Sequence, residues 1–242
     1  MKKRHLVYAI ALIVGMGACA ASAKKQAEAK PDVWKSYNVG TVLFEDKASE
    51  TKGSDIYHRI IPDAESYIKE QARTVLATLY NSPEDSITPV NKIHYTLEDI
   101  EGISAKGGGN GDVTIFYSTR HIEKSFAEND TAKLFFETRG VLLHELTHAY
   151  QLEPQGIGSY GTNRVFWAFI EGMADAVRVA NGGFDGPNAR PKGGNYMDGY
   201  RTAGYFFVWL RDNKDPEFLR KFNRSTLEVI PWSFDGAIKH IL

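Results

Sequence analysis

One cysteine stands in the whole chain, Cys19, so no disulfide within the chain can hold its fold. Neither sign of charge is in excess: 29 Lys and Arg stand against 30 Asp and Glu, a formal net charge of −1. No long basic block follows Lys2-Lys3-Arg4-His5, and a nucleic-acid partner is not expected. No apolar run after Ala18 is long enough for a membrane span. There is no internal repeat. The run Gly107-Gly108-Gly109-Asn110-Gly111 lacks the Lys-Ser/Thr that completes a phosphate-binding loop, and strand-like residues follow it. A phosphate cradle is therefore excluded.

What is present begins with an export signal. Residues 2–5 form a positive start and Leu6–Ala18 an apolar stretch too short to span as a mature helix. Met16-Gly17-Ala18-Cys19 favours a bacterial lipoprotein signal, with Cys19 as the lipidated residue, over ordinary cleavage after Ala20 or Ala23. Residues 1–23 are read as the signal, 24–33 as an Ala/Lys-rich tether and 34–242 as one folded domain. At 43% hydrophobic and 12% aromatic content, the chain can build a sizeable core.

The chemistry concentrates in Gly140-Val141-Leu142-Leu143-His144-Glu145-Leu146-Thr147-His148-Ala149-Tyr150-Gln151. On a helix, residues four apart face the same way, one turn apart. His144 and His148 can thus offer two imidazoles to one metal ion. Glu145, about 100° around the helix from His144, can reach a water held there. Two His ligands and a carboxylate base are the parts of metal-assisted hydrolysis. The surrounding apolar residues make the helix buried, and buried imidazoles need partners.

A catalytic zinc site usually takes three protein ligands. The extended pattern with Gly and His at 151 and 154 is excluded, because Gln151 and Pro154 stand there. The next source is the helix-like run Phe166–Arg178. Glu171 lies 23 residues beyond His148, and the apolar run Phe166–Ile170 before it favours a buried ligand over a surface acid. Asp175 lies one turn further on the same face, placed to accept the second ring N–H of a metal-bound His.

Three blocks in this order, His144–Gln151, Phe169–Arg178 and Asp198–Phe206, resemble the basic secretory protein family, a group of zinc peptidases of plants and bacteria. The resemblance covers about Val39 to the C-terminus and is weak before the His motif. Its E-x-x-x-D block is also similar to the wider gluzincin metallopeptidases. It implies Glu171 as third ligand and Asp175 as supporting carboxylate. It also implies more chain after the final helix. The sequence pI of about 6.7 departs from the family's name, being not basic.

The rest of the chain reads as a strand over Val39–Phe44, a polar loop over Asp46–Asp55 and a helix opened by Pro62 and ended at Ser82-Pro83. Ile93–Leu97 and Val113–Tyr117 alternate as strands, and the glycine run between them is expected to join them as a hairpin. In zinc peptidases of the resembled type an edge strand lies along the cleft and binds substrate backbone; Val113–Ser118 is the candidate. His121 is read as a solvated loop residue outside the site. The motif helix is expected over Thr131–Leu152, broken near Gly140. The Glu171 helix is capped by Thr162 or Asn163, and Asn181-Gly182-Gly183 ends it. Further helices are expected near Met197–Leu210, after Pro216, and over Phe234–Leu242.

The expectation is an α+β zincin-like domain, a small mixed sheet plus a helical half with the metal site between them. The expected function is zinc-dependent hydrolysis of peptide bonds outside the cytoplasm. His144, His148 and Glu171 hold Zn2+, Glu145 is the general base, and Tyr200 is the second donor to the carbonyl oxygen, with Tyr205 its competitor. A peptide or protein is the expected substrate. The chain is expected to be a monomer and to touch a membrane only through the lipid anchor. The alternatives are a zinc hydrolase of another amide, cell-wall or glycan-linked, and a catalytically weak binding module on the same fold.

Overall fold

The computed structural model describes residues 32–184 and 189–242. The signal, Cys19 and most of the expected tether lie outside the described residues. From Asp32 onward the chain gathers into one compact unit.

The first half builds a four-stranded mixed sheet. Its elements are β1 (Thr41–Asp46), α1 (Lys52–Ile60), α2 (Ala64–Leu79), β2 (Lys92–Glu98), β3 (Ser104–Gly109) and β4 (Asp112–Ser118). Strand order is β1-β2-β4-β3; β1, β2 and β4 run parallel, and β3 is the antiparallel edge. The crossover from β1 to β2 runs through α1 and α2, as parallel neighbours require. Helix α1 lies partly in the segment read as polar loop. Thr51 caps it by accepting from the Ser54 N–H, and its hydrophobic residues Ile56 and Tyr57 are fully buried.

The expected hairpin of Ile93–Leu97 with Val113–Tyr117 does not form. Those strands lie side by side in parallel, Ile93 opposite Val113 and Tyr95 opposite Ile115. The first three residues of the glycine run are not a flexible turn but the second half of β3. Its true turn is Asn110-Gly111, both at positive φ (53° and 85°), the conformation a two-residue antiparallel turn needs. Glycines carry no strand signal of their own, which hid this edge from the pattern.

The second half is helical: α3 (Thr119–Ser125), α4 (Thr131–Tyr150), α5 (Arg164–Ala180), a 3-10 turn (Tyr196–Asp198), α6 (Tyr200–Asn213), α7 (Phe218–Glu228) and α8 (Phe234–Ile241). Helix α4 is not broken at Gly140. The glycine serves packing there: a Cβ would lie 2.4 Å from Arg178 Nε and 2.5 Å from the Gly183 carbonyl oxygen. Asn163 caps α5, accepting from the Val165 and Phe166 N–H groups. Helices α5 and α6 approach closely because Gly172 and Gly204 face them. A Cβ on Gly204 would sit 2.9 Å from Asp175 Cβ, so this contact brings the start of α6 beside Asp175. Phe169, Phe207, Phe222 and Trp232 fill the core behind α5, each fully or almost fully buried. No helix among the described residues is long and apolar enough to cross a membrane. The expected α+β architecture, a small mixed sheet and a helical half, is the one observed.

Candidate metal centre

Helix α4 offers His144, Glu145 and His148 toward a cleft of about 350 Å³. Helix α5 packs against α4 and turns Glu171 and Asp175 toward the same place. Strand β3 forms the opposite wall with Ser104, Ala105 and Lys106; Tyr160, from the loop between α4 and α5, and Tyr200, at the start of α6, stand at the mouth.

The ring nitrogens His144 Nε2 and His148 Nε2 are 3.0 Å apart. Glu171 Oε2 lies 3.3 Å from the first and 3.7 Å from the second. A point about 2 Å from all three atoms exists inside that triangle, the usual length of zinc–nitrogen and zinc–carboxylate bonds. Glu171 is 3% exposed, and its Oε2 is buried without a hydrogen-bond donor. A carboxylate oxygen in that condition is costly unless a cation meets it. His144, His148 and Glu171 form the one such three-residue group among the described residues. They fit a divalent ion with nitrogen and oxygen preference.

Each of the three donors is held from behind by a different side chain. Asp175 Oδ1 lies 2.7 Å from His144 Nδ1. The Gln151 amide lies 2.8 Å from His148 Nδ1. The Tyr160 hydroxyl donates to Glu171 Oε1 at 2.6 Å. Sequence reasoning found Asp175 and missed the other two. Gln151 sits one turn after His148, a spacing that would have pointed to it. No spacing rule leads from a loop tyrosine to an acid on the next helix. Gln151 also carries information in its orphaned oxygen, which is buried and unpaired while its nitrogen faces the ring. A His148 that gives its Nε2 lone pair to a metal carries its proton on Nδ1 and needs an acceptor. Rotating the amide by 180° supplies that acceptor.

The electrostatics follow from burial and these partners. Burial opposes charge on His144, but Asp175 and Glu171 outweigh it and push its pKa up to about 10. His148 is driven the other way, down to about 3, by burial and then by the charge on His144. Burial raises the Glu145 carboxyl, with nearby His144 acting against it. Glu171 is lowered: burial works against its charge, and the His144 and His148 imidazoles more than compensate.

Tyr200 reaches the site, and Tyr205 does not. The Tyr200 ring lies nearly parallel to the His144 ring, centroids 6.0 Å apart, and edge-on to Trp167 at 5.4 Å. Its φ of 42° is unusual for a non-glycine residue. Gly199 before it has φ 66°, and a Cβ there would strike the Trp167 ring at 2.6 Å. The Tyr200 side chain is 47% exposed. Tyr205 instead lines a separate cavity with Arg190 and Trp209 and packs near Phe184. His121, expected in solvent, lies on α3 with its Nε2 3.1 Å from Glu137, which also pairs with Arg178 at 2.6 Å. The cleft-lining strand is β3 rather than Val113–Ser118, because β4 is an interior strand paired on both sides.

The family model described as "peptidase of plants and bacteria" matches residues 39–242 of this chain. No curated protein and no solved structure matches it.

Proposed function

The chain belongs to the basic secretory protein family, peptidases of plants and bacteria, and from that premise we propose that it is a zinc-dependent peptidase working outside the cytoplasm. The observation that carries the reading is Glu171 Oε2, buried and facing the two Nε2 atoms of His144 and His148 within 3.7 Å. These three side chains would hold the metal. When bound, a zinc ion supplies the positive charge that polarises a peptide carbonyl and acidifies a water.

The chain's own residues do the rest. Glu145, on the same helix turn as His144 and 6% exposed, takes the proton from the attacking water and passes it to the leaving amine. Burial raises its carboxyl above the ordinary range, which makes it a better proton acceptor near neutral pH. Tyr200 donates its phenolic O–H to the carbonyl oxygen as negative charge develops. Its hydroxyl makes no hydrogen bond to a described residue, and its strained backbone fits a functional position. Strand β3 is the edge of the sheet and runs along the cleft, where an extended substrate can add as a strand. Export with a lipid on Cys19 belongs to the same proposal. The mass of the mature N-terminus tests it: an acylated Cys19 supports it, and a start at Ala21 or Lys24 contradicts it.

The chemical assignment is tested by Glu145→Gln on a peptide library, with metal content measured on the same sample. The variant amide cannot accept the proton, so zinc should stay and cleavage should fall to near background. Cleavage close to the wild-type rate would remove Glu145 from the role of base.

A further inference from the structure

Tyr160 has a bond whose purpose the proposed reaction does not use. It stands near the end of the loop between α4 and α5, and its side chain is 46% exposed, so burial of the ring does not explain its place. The loop is tied down at several points. The Trp232 backbone N–H donates to the Gln155 carbonyl oxygen at 2.9 Å. The Asn163 amide donates to the Ile157 carbonyl oxygen at 2.7 Å. A Cβ on Gly156, at φ 77°, would press on Pro231 at 3.1 Å. The Tyr160 hydroxyl is thus delivered to Glu171 Oε1 by a fixed support. At 2.6 Å the contact has the length of a charge-assisted O–H···O− bond.

The two oxygens of Glu171 therefore differ. Oε1 is taken by the Tyr160 proton, and Oε2 is the buried atom that faces the two imidazoles. A carboxylate beside a divalent cation can bind through one oxygen or both. Binding through both would crowd the position that a reacting water needs in an open catalytic site.

We propose that Tyr160 is a positioning residue that holds Glu171 Oε1, so that Glu171 meets the metal through Oε2 alone. The inference rests on the zinc reading above and deepens it. With its proton committed to Glu171, Tyr160 is not the donor to the substrate carbonyl, which leaves that role to Tyr200.

The test compares the wild-type protein with Tyr160→Phe, which keeps the ring and deletes the oxygen. Both are stripped of metal, melted to compare their folds, then titrated with zinc against a chromophoric chelator and with cobalt(II) read by visible absorption. Four-coordinate cobalt absorbs much more strongly than five- or six-coordinate cobalt. The wild type should give the strong spectrum. Tyr160→Phe should melt like the wild type, bind zinc roughly 10–100-fold more weakly, the usual cost of losing such a support, and give weaker cobalt bands. An unchanged cobalt spectrum with unchanged zinc affinity overturns the inference and leaves the zinc reading standing. A wild-type protein that binds neither metal overturns the zinc reading and this inference with it.

Discussion

Removing the charge behind His144 should change zinc binding in a way that depends on pH. The perturbation is Asp175→Asn. Asp175 is 4% exposed and its Oδ1 lies 2.7 Å from His144 Nδ1. A hydrogen bond of this charge-assisted kind contributes about 1.5–3 kcal/mol. Loss of a supporting carboxylate typically lowers metal affinity about 10–100-fold, or about 1.4–2.7 kcal/mol, so the two estimates agree. In the metal-free protein the His144 pKa stands at about 10, raised by Asp175 and Glu171 against the opposing effect of burial. Below that pH a zinc ion must displace a proton from His144, so wild-type affinity should climb about tenfold per pH unit toward about 10. The neutral amide gives the imidazolium no countercharge, burial then weighs more, and the pKa falls. The variant's affinity should therefore level off at lower pH. The deficit is largest in alkaline solution and shrinks toward pH 6, where the wild type bears the larger cost of proton displacement. Competition with a chromophoric chelator from pH 6 to 9 measures both curves. Equal affinities with equal pH slopes would refute the argument and make Asp175 a bystander.

Two further outcomes are expected. Tyr200→Phe should lower kcat by roughly 100- to 1000-fold, the scale for losing one donor to a developing oxyanion, with KM and zinc content nearly unchanged; steady-state kinetics that retain most of kcat would return the tyrosine to packing. Gly140→Ala should destabilise the fold by about 1–3 kcal/mol through overpacking against Arg178 and Gly183, although helix propensity alone favours alanine by about 1 kcal/mol. A rise in Tm would show that Arg178 moves aside at little cost.

The sequence was most legible where function is local to a helix. His144, Glu145 and His148 sit within two turns of α4, and Glu171 and Asp175 within two turns of α5. Periodicity alone puts each set on one face. That the two faces meet depends on tertiary packing; in advance it rested on the apolar run Phe166–Ile170, which argued for a buried Glu171, and on the resemblance. The site's remaining parts come from segments with no periodic signal. Tyr160 is delivered by a loop fastened to Trp232, far along the chain. Strand β3 hid behind three glycines, because the eye reads Gly107–Gly109 as a turn when no side chain marks the strand's faces. Gln151 is legible from its place one turn after His148, although the extended His motif would put a glycine there. Helix α1 was lost to its polar exterior, although Thr51 and Ser54 form an ordinary N-cap pair. The parallel pairing of β2 with β4 could not be read from alternation, since alternation does not distinguish the two directions.

The central claim is that His144, His148 and Glu171 hold one zinc ion on which peptide hydrolysis depends. It is tested most directly by stripping the protein with a chelator and following peptide cleavage as zinc is added back. The account requires no cleavage without metal, then a linear return that breaks at one equivalent of zinc per chain. Full cleavage by protein shown to be metal-free would contradict it.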